Sequence, residues 1–183
     1  SYIKEKTVII GHDNRESSDS LRNALVAGLT ASGANVIDLG LVTTPMYYYA
    51  KKSLNITNGI MITASHNPRE YNGFKISFSK IGNACGQEIE DFYNFTDKLE
   101  FDNGNGQLKL LNIKEKYLEN FKNSINLGNR KIKAVFDCGN GTGSIIVKDI
   151  LDMFDIEYEL LYCDSDPRFP NHHPDPSVPE NLE

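Results

Sequence analysis

The chain has 183 residues, of which 39% are hydrophobic and 24% charged, a composition typical of a soluble globular protein. Its net charge of −6 at pH 7 comes without a basic cluster of the kind that binds nucleic acid. No apolar run approaches the ~18 residues that a membrane-spanning helix needs, and the N-terminus does not resemble a signal peptide. We therefore expect one or two soluble domains in the cytoplasm, with neither nucleic acid nor membrane as a partner.

The three cysteines, Cys85, Cys138 and Cys163, are scattered and include no C-x-x-C pair. Their odd number and spacing predict neither a disulfide framework nor a zinc site, which fits a reducing cytosol. The chain begins with Ser1 and not with an initiator methionine, so we expect it to be cut from a longer protein.

Short apolar runs alternate with helical patterns through the first half of the chain. Each predicted strand is followed by a loop, and most loops lead to a segment with apolar residues three or four positions apart. This order predicts an α/β fold with a mixed, mostly parallel sheet sandwiched by helices. The predicted strands cover residues 6–10, 35–39, 60–63 and 74–78, and the predicted helices cover 17–33 and 46–52.

The second half adds two amphipathic helices, a turn-rich linker and the opening β-α-β of a second domain. The helices are predicted at 87–99 and 114–125, with a short strand at 108–111 between them and the linker at 126–129. The second unit has predicted strands at 132–136 and 157–162 and a helix at 145–154. The predicted domains are therefore 1–128 and 129–183.

One loop concentrates reactive side chains. The predicted strand at 60–63 runs into Ala-Ser-His-Asn-Pro, where Pro68 has no backbone donor and ends the strand. The loop would present Ser65 and His66 at the carboxyl edge of the sheet, where α/β proteins bind ligands, and Lys75 would return nearby. A serine beside an imidazole can be a nucleophile or phosphoryl carrier, and a lysine can bind phosphate. Local chemistry alone nevertheless favours the alternative that Ser65 merely caps a turn.

Two further loops carry polar residues at predicted strand ends. His12, Asp13 and Arg15 follow the first strand and could contribute to a polar site. The alternative is that Asp13 and Arg15 pair with each other or cap the helix, and for His12 we favour a structural role. The turn at 139–143 spells G-x-G-x-G and precedes no Walker lysine, which favours a tight turn over a dinucleotide site.

Near the C-terminal end, acidic residues and histidines resemble metal ligands only superficially. Asp164 and Asp166 are spaced carboxylates that could hold a hard cation such as Mg²⁺, but Pro167 follows them and we interpret the stretch as a loop. The adjacent His172 and His173 have no zinc-type ligand set around them, and we interpret both as structural.

A family resemblance favours a functional role for Ser65 over that of a turn cap. Thr-Ala-Ser-His-Asn-Pro at 63–68, followed by Tyr-Asn-Gly-Phe-Lys at 71–75, closely resembles the phosphoserine loop of the α-D-phosphohexomutases, which include phosphomannomutase/phosphoglucomutase. Similar stretches are G-x-D-x-R at 11–15, D-x-G-N-G at 137–141 and the proline-rich segment 169–182. The resemblance extends from about Val8 to Leu182. It implies the first domain of a four-domain phosphoglucomutase fold and the opening of the second.

The resemblance implies a chemistry for the whole enzyme. Ser65 would carry the transferable phosphoryl group, while His66 and Lys75 would orient the loop, bind phosphate or assist proton transfer. The substrates would be hexose 1-phosphates and 6-phosphates, with glucose or mannose 1,6-bisphosphate as activator. Mg²⁺ would bind the phosphate on Ser65, and its other ligands would lie on an Asp-rich loop beyond Glu183. The chain alone would then be inactive.

Three alternatives stay open from the sequence. A non-catalytic module would bind sugar phosphates without phosphorylating Ser65. A serine hydrolase is disfavoured because the chain lacks a G-x-S-x-G elbow. Within the mutases, a phosphoglucosamine enzyme is an alternative, although the Asn-Gly-Phe-Lys run at 72–75 more closely resembles the phosphomannomutase/phosphoglucomutase branch.

Overall fold

The computed structural model describes residues 2–3, 5–80, 82–98 and 100–181. Within these residues the strands are β1 (Thr7–His12), β2 (Asn35–Leu41), β3 (Asn58–Ile62), β4 (Phe74–Phe78), β5 (Leu108–Leu110), β6 (Lys133–Asp137) and β7 (Glu157–Leu161). The α-helices are α1 (Ser18–Ala31), α2 (Thr44–Ser53), α3 (Gln87–Thr96), α4 (Lys114–Ser124) and α5 (Val147–Met153). Two short 3₁₀ helices cover Thr142–Ile145 and Pro179–Asn181.

The first unit is built on a five-stranded sheet with the order β4-β3-β1-β2-β5. Every neighbouring pair is parallel except β3 and β4, which are antiparallel. The second unit contributes a parallel pair, β6 and β7. The predicted mixed, mostly parallel α/β fold with the opening of a second unit is thus confirmed. The helix predicted to reach Leu99 ends at Thr96, and Leu99 itself lies outside the described residues.

Helices cover both faces of this sheet because alternate residues of β1 point in opposite directions. Val8 and Ile10 are buried in a cluster to which α1 contributes Leu25, Val26 and Leu29. Ile9 is buried in a separate cluster with Met46, Tyr47 and Ala50 of α2. Burying each large apolar side chain contributes about 1.5–3 kcal/mol, so the two clusters fix the position of β1 and of the loops that follow it.

Gly59 lets α2 approach β3 closely. A Cβ at this position would lie 2.4 Å from the Tyr47 hydroxyl oxygen and 2.9 Å from a methyl carbon of Ile9. We expect Gly59→Ala to lower the free energy of unfolding by about 1–3 kcal/mol through overpacking. Urea denaturation would measure this, with Gly28→Ala in α1 as the control. A Cβ at Gly28 would meet no atom within 4 Å, and that helical substitution should stabilise by roughly 0.5–1 kcal/mol.

Strand β4 is tied to α2 by a buried lysine. The Lys51 side chain is 1% exposed, and its Nζ donates hydrogen bonds to Ser77 Oγ and to the Ser79 carbonyl. Burial lowers the pKa of Lys51 because the charged form loses hydration. The contact anchors the strand that carries Lys75.

The prediction of no disulfide was wrong for one pair of cysteines. Cys138 and Cys163 form a disulfide, with their Cα atoms 4.9 Å apart, while Cys85 is free and exposed. The two residues follow the adjacent parallel strands β6 and β7, and only that pairing brings them together across 25 positions of sequence. The argument from scattered cysteines to a reducing cytosol therefore fails. Among the described residues, no helix is long and apolar enough to cross a membrane.

Candidate active site

A cavity of about 520 Å³ opens between the two units at the carboxyl ends of β1 and β3. The first unit lines it with residues that follow these strands and with the start of α2. The second unit lines it with the turn after β6, with α5 and with Phe169. The three residues predicted from the serine loop, Ser65, His66 and Lys75, all line this cavity.

Ser65 is the first exposed residue after β3. Thr63 and Ala64 are buried, and the chain then emerges at the serine loop, which we define as residues 63–73. The backbone of Ser65 is left-handed, with φ of 57°, and its amide donates a 3.0 Å hydrogen bond to Thr63 Oγ1. A left-handed non-glycine residue costs roughly 1–2 kcal/mol, and such strain recurs at functional sites. Ser65 is thus an exposed serine at the cavity wall.

Lys75 returns to the cavity on β4. The antiparallel register pairs Lys75 with Met61 of β3, so both side chains lie on the same face, and both line the cavity. Lys75 is half-buried and has no ion-pair partner among the described residues. Its ammonium group is therefore available to a ligand anion.

His66 is exposed beside Ser65 and faces the second unit. The pKa of Asp175 is lowered chiefly by hydrogen bonds from Ser177, with smaller contributions from the nearby charges of His66 and His173. His66 thus lies close enough to the proline-rich segment to interact with it electrostatically. Its place at the rim fits a role in orienting the loop or in proton transfer.

The G-x-D-x-R loop after β1 forms the floor of the cavity. Of the alternatives that the sequence left open, the ion pair is present, since Arg15 Nε lies 3.2 Å from Asp13 Oδ2 and both residues are buried. Arg15 also donates hydrogen bonds to backbone carbonyls of the serine loop, which the sequence did not predict. Asn14 joins the two units, with its Nδ2 2.8 Å from the Asn140 carbonyl and its amide 3.2 Å from Thr142 Oγ1.

The glycine-rich turn after β6 forms one wall of the cavity. Gly139 and Asn140 have positive φ values of 51° and 56°, as a tight turn requires. The next three residues, Gly141, Thr142 and Gly143, line the cavity opposite the serine loop. The sequence predicted the turn but assigned it no place in the site.

The predicted metal-like residues near the C-terminal end have other partners. Asp166 pairs with Arg168, which lowers the pKa of Asp166 to about 2. His172 lies with Nε2 3.0 Å from Asp137 Oδ2 and Nδ1 2.9 Å from the His173 carbonyl oxygen. In the described part of the chain, no group of three or more His, Cys, Asp or Glu side chains could hold a metal ion. The residues present therefore do not by themselves fit a magnesium site.

The pKa of His172 is raised, first by its hydrogen bond to the His173 carbonyl and further by Asp137. A raised folded-state pKa means that this contact stabilises the protein fully below the unfolded-state value near 6.5. The stabilisation should be lost as the pH rises through the folded-state pKa. We expect Asp137→Asn to lower the pKa of His172 in an NMR titration. Asp164→Asn, which removes an exposed carboxylate that is not bonded to His172, should leave that titration unchanged.

The fold and the cavity define an α/β protein with an exposed serine at the end of a strand. The serine lies in the run Thr-Ala-Ser-His-Asn-Pro at residues 63–68. The chain matches the family model described as phosphoglucomutase/phosphomannomutase, alpha/beta/alpha domain I, over residues 1–101. It matches alpha/beta/alpha domain II of the same family over residues 115–183. The chain therefore belongs to the phosphoglucomutase/phosphomannomutase family, which confirms the resemblance of its loops.

Known proteins agree with this assignment. The chain is 37% identical over 98% of its length to phosphomannomutase/phosphoglucomutase of Pseudomonas putida and covers 38% of that protein. It is 42% identical over 80% of its length to a Pyrococcus abyssi protein named a probable phosphoglucosamine mutase, of which it covers 33%. A solved family protein from Burkholderia thailandensis gives a TM-score of 0.89 at 34% identity, covering 97% of this chain and 40% of that one. The chain thus spans well under half the length of these relatives.

Proposed function

We propose that this chain is the phosphoserine-bearing part of a phosphohexomutase that interconverts hexose 1-phosphates and hexose 6-phosphates. The observation that carries the proposal is the geometry at Ser65. Ser65 is exposed at the wall of a cavity that Lys75 also lines, and Lys75 has no ion-pair partner among the described residues. A nucleophilic hydroxyl beside an available cation suits phosphoryl transfer, in which positioning and charge neutralisation supply most of the catalysis.

The transfer proceeds in two balanced steps. In the first, the Ser65 Oγ–P bond of the phosphorylated enzyme breaks as a sugar hydroxyl forms a new O–P bond. The sugar hydroxyl releases its proton to a base, and the Ser65 oxygen that leaves gains a proton. The product is a hexose 1,6-bisphosphate, which changes its orientation in the cavity so that its other phosphoryl group faces Ser65. In the second, the Ser65 hydroxyl loses its proton and its Oγ takes the other phosphoryl group. The sugar O–P bond breaks, and the sugar oxygen that leaves gains a proton. Lys75 would hold phosphate oxygens through both steps, and His66 would orient the loop or carry a proton.

Magnesium and the bisphosphate activator belong to the proposal for the whole enzyme. A divalent cation would neutralise charge on the transferred group, and Ser65 would reach it through its phosphate. The other ligands would come from beyond the residues described here. For the same reason we propose that the 183-residue chain alone has no mutase turnover.

Two classes of sugar phosphate are candidate substrates. Similarity to phosphomannomutase/phosphoglucomutase extends over nearly the whole chain and favours glucose and mannose phosphates. The 42% identity to a probable phosphoglucosamine mutase supports glucosamine phosphates as the alternative. Turnover of the three sugar phosphates by the complete enzyme would separate them.

Phosphopeptide mapping would test the covalent intermediate directly. The complete enzyme would be incubated with Mg²⁺ and glucose 1,6-bisphosphate, digested and analysed by mass spectrometry. We expect phosphate on the peptide that contains Ser65. An unmodified Ser65 with intact bound bisphosphate would favour a non-catalytic binding module instead. Hydrolysis of simple esters would favour a serine hydrolase, although no hydrogen bond joins the Ser65 hydroxyl to a histidine within the described residues.

A further inference from the structure

Arg15 uses its entire guanidinium group to hold the serine loop. The side chain is nearly inaccessible, at 4% exposure, and it lies directly below the loop. A guanidinium has five N–H donors, and each of them has an acceptor here. Nε donates to Asp13 Oδ2 (3.2 Å), Nη1 to the carbonyls of Pro68 (2.7 Å) and Tyr71 (3.0 Å), and Nη2 to those of Ser65 (2.9 Å) and Asn67 (2.7 Å).

The four carbonyls that converge on Arg15 determine the shape of the loop. Carbonyl oxygens pointing at one place repel one another, and the buried positive charge of Arg15 compensates that repulsion. One of the four belongs to Ser65, whose amide is held from the other side by Thr63 Oγ1. Both peptide groups of this left-handed residue are therefore fixed, which fixes the direction in which its Cβ projects.

The start of α1 supports the arrangement from behind. Asp13 Oδ1 accepts hydrogen bonds from the Arg15 amide (3.1 Å) and from Ser18 Oγ (2.7 Å). Asn72, at the far end of the serine loop, donates from Nδ2 to the hydroxyls of Ser17 and Ser18, each at 2.9 Å. The loop is thus connected at both ends to one buried network anchored on β1 and α1.

We propose that Arg15 is a positioning residue for phosphoryl transfer, which holds Ser65 Oγ in line with the incoming phosphoryl group. This inference rests on the proposed function and extends it to a residue that does not itself touch substrate. Lysine could not replace Arg15, because an ammonium has three donors on a single atom and cannot reach five separated acceptors. A displacement of the nucleophile by about 1 Å can cost on the order of 10²-fold in rate.

The test compares Arg15→Lys with Arg22→Lys in the complete enzyme. Arg22 is the matched control, because its guanidinium also pairs with a buried aspartate, Asp38, while its described hydrogen bonds go to Asp38 and Asn23 and not to the serine loop. We would measure the single-turnover rate of Ser65 phosphorylation by glucose 1,6-bisphosphate, kcat and KM, and hydrogen exchange of the loop amides. For Arg15→Lys we expect faster exchange in the loop and a rate lower by roughly 10²-fold, with little change in KM. Arg22→Lys should change the stability of the protein without changing loop exchange or the rate of Ser65 phosphorylation.

Each outcome decides the inference. A wild-type rate or wild-type loop exchange in Arg15→Lys would overturn it, and so would an equal loss of rate in Arg22→Lys. If Arg15→Lys does not fold, Asp13→Asn replaces it in the test. Asp13→Asn removes the negative charge of the carboxylate that accepts from Arg15 Nε, and it should produce smaller effects in the same direction. Unchanged exchange and rate in Asp13→Asn would then overturn the inference. If the wild-type enzyme never phosphorylates Ser65, the proposed function fails, while loop exchange still decides whether Arg15 holds the loop.

Discussion

Replacing Ser65 by alanine in the complete enzyme is expected to remove nearly all mutase activity. The reason is chemical, since alanine has no oxygen to carry the phosphoryl group between the two steps. Loss of an essential nucleophile lowers kcat by at least roughly three orders of magnitude. Because Ser65 is exposed, the substitution creates no cavity, and the melting temperature should stay within the range of surface substitutions.

A coupled assay of glucose 6-phosphate formation would measure this effect. The control is Ser20→Ala, which removes an exposed serine of α1 whose hydroxyl bonds only to the Ser17 carbonyl among the described residues. Ser20→Ala should retain wild-type activity. Normal turnover by Ser65→Ala would refute Ser65 as the phosphoryl carrier.

Replacing Lys75 by methionine is expected to lower kcat by roughly 10²–10³-fold, the range found for single groups that stabilise developing charge. Methionine keeps the length and apolar stem of lysine, so the substitution removes the ammonium group with little change in packing. Lys75 has no ion-pair partner among the described residues, so no carboxylate there is orphaned by its loss. We expect KM to rise as well, because phosphate binds this cation in the ground state.

Steady-state kinetics of the complete enzyme would test the prediction. Lys75→Arg should recover part of the activity because it retains the charge, although a planar guanidinium is not equivalent to a compact ammonium. Lys52→Met, on the exposed side of α2, is the control and should behave like the wild type. If Lys75→Met and Lys52→Met have the same kcat and KM, Lys75 does not contact the phosphoryl group.

The strands and helices could be predicted because their cause lies in local sequence. Apolar runs such as 6–10 and 35–39 locate β1 and β2, although both strands extend two residues further at their carboxyl ends. The extension cannot be seen in the pattern, since it depends on hydrogen bonds between neighbouring strands. The serine loop was found through a specific run of residues, and its place at the sheet edge followed from the strand before it.

Two features of the site have no signature in the sequence. The acceptors that Arg15 binds are mostly backbone carbonyls 50 to 56 positions away, and every residue has a carbonyl. The left-handed backbone of Ser65 is also unexpected, since glycine and asparagine adopt it far more readily than serine does. The disulfide was missed for a related reason, because strand pairing and not spacing brings Cys138 and Cys163 together.

The antiparallel pairing of β3 with β4 places Ser65 and Lys75 within one unit of the chain. Ser65 lies in the loop that connects β3 to β4, and Lys75 lies near the start of β4, so their relative placement is a local property of this hairpin in the first unit. The opposite wall of the cavity belongs to the second unit, which Asn14 joins through hydrogen bonds to a few groups. A rotation of the second unit would therefore change the width of the cavity, while the spacing of Ser65 and Lys75 stayed the same.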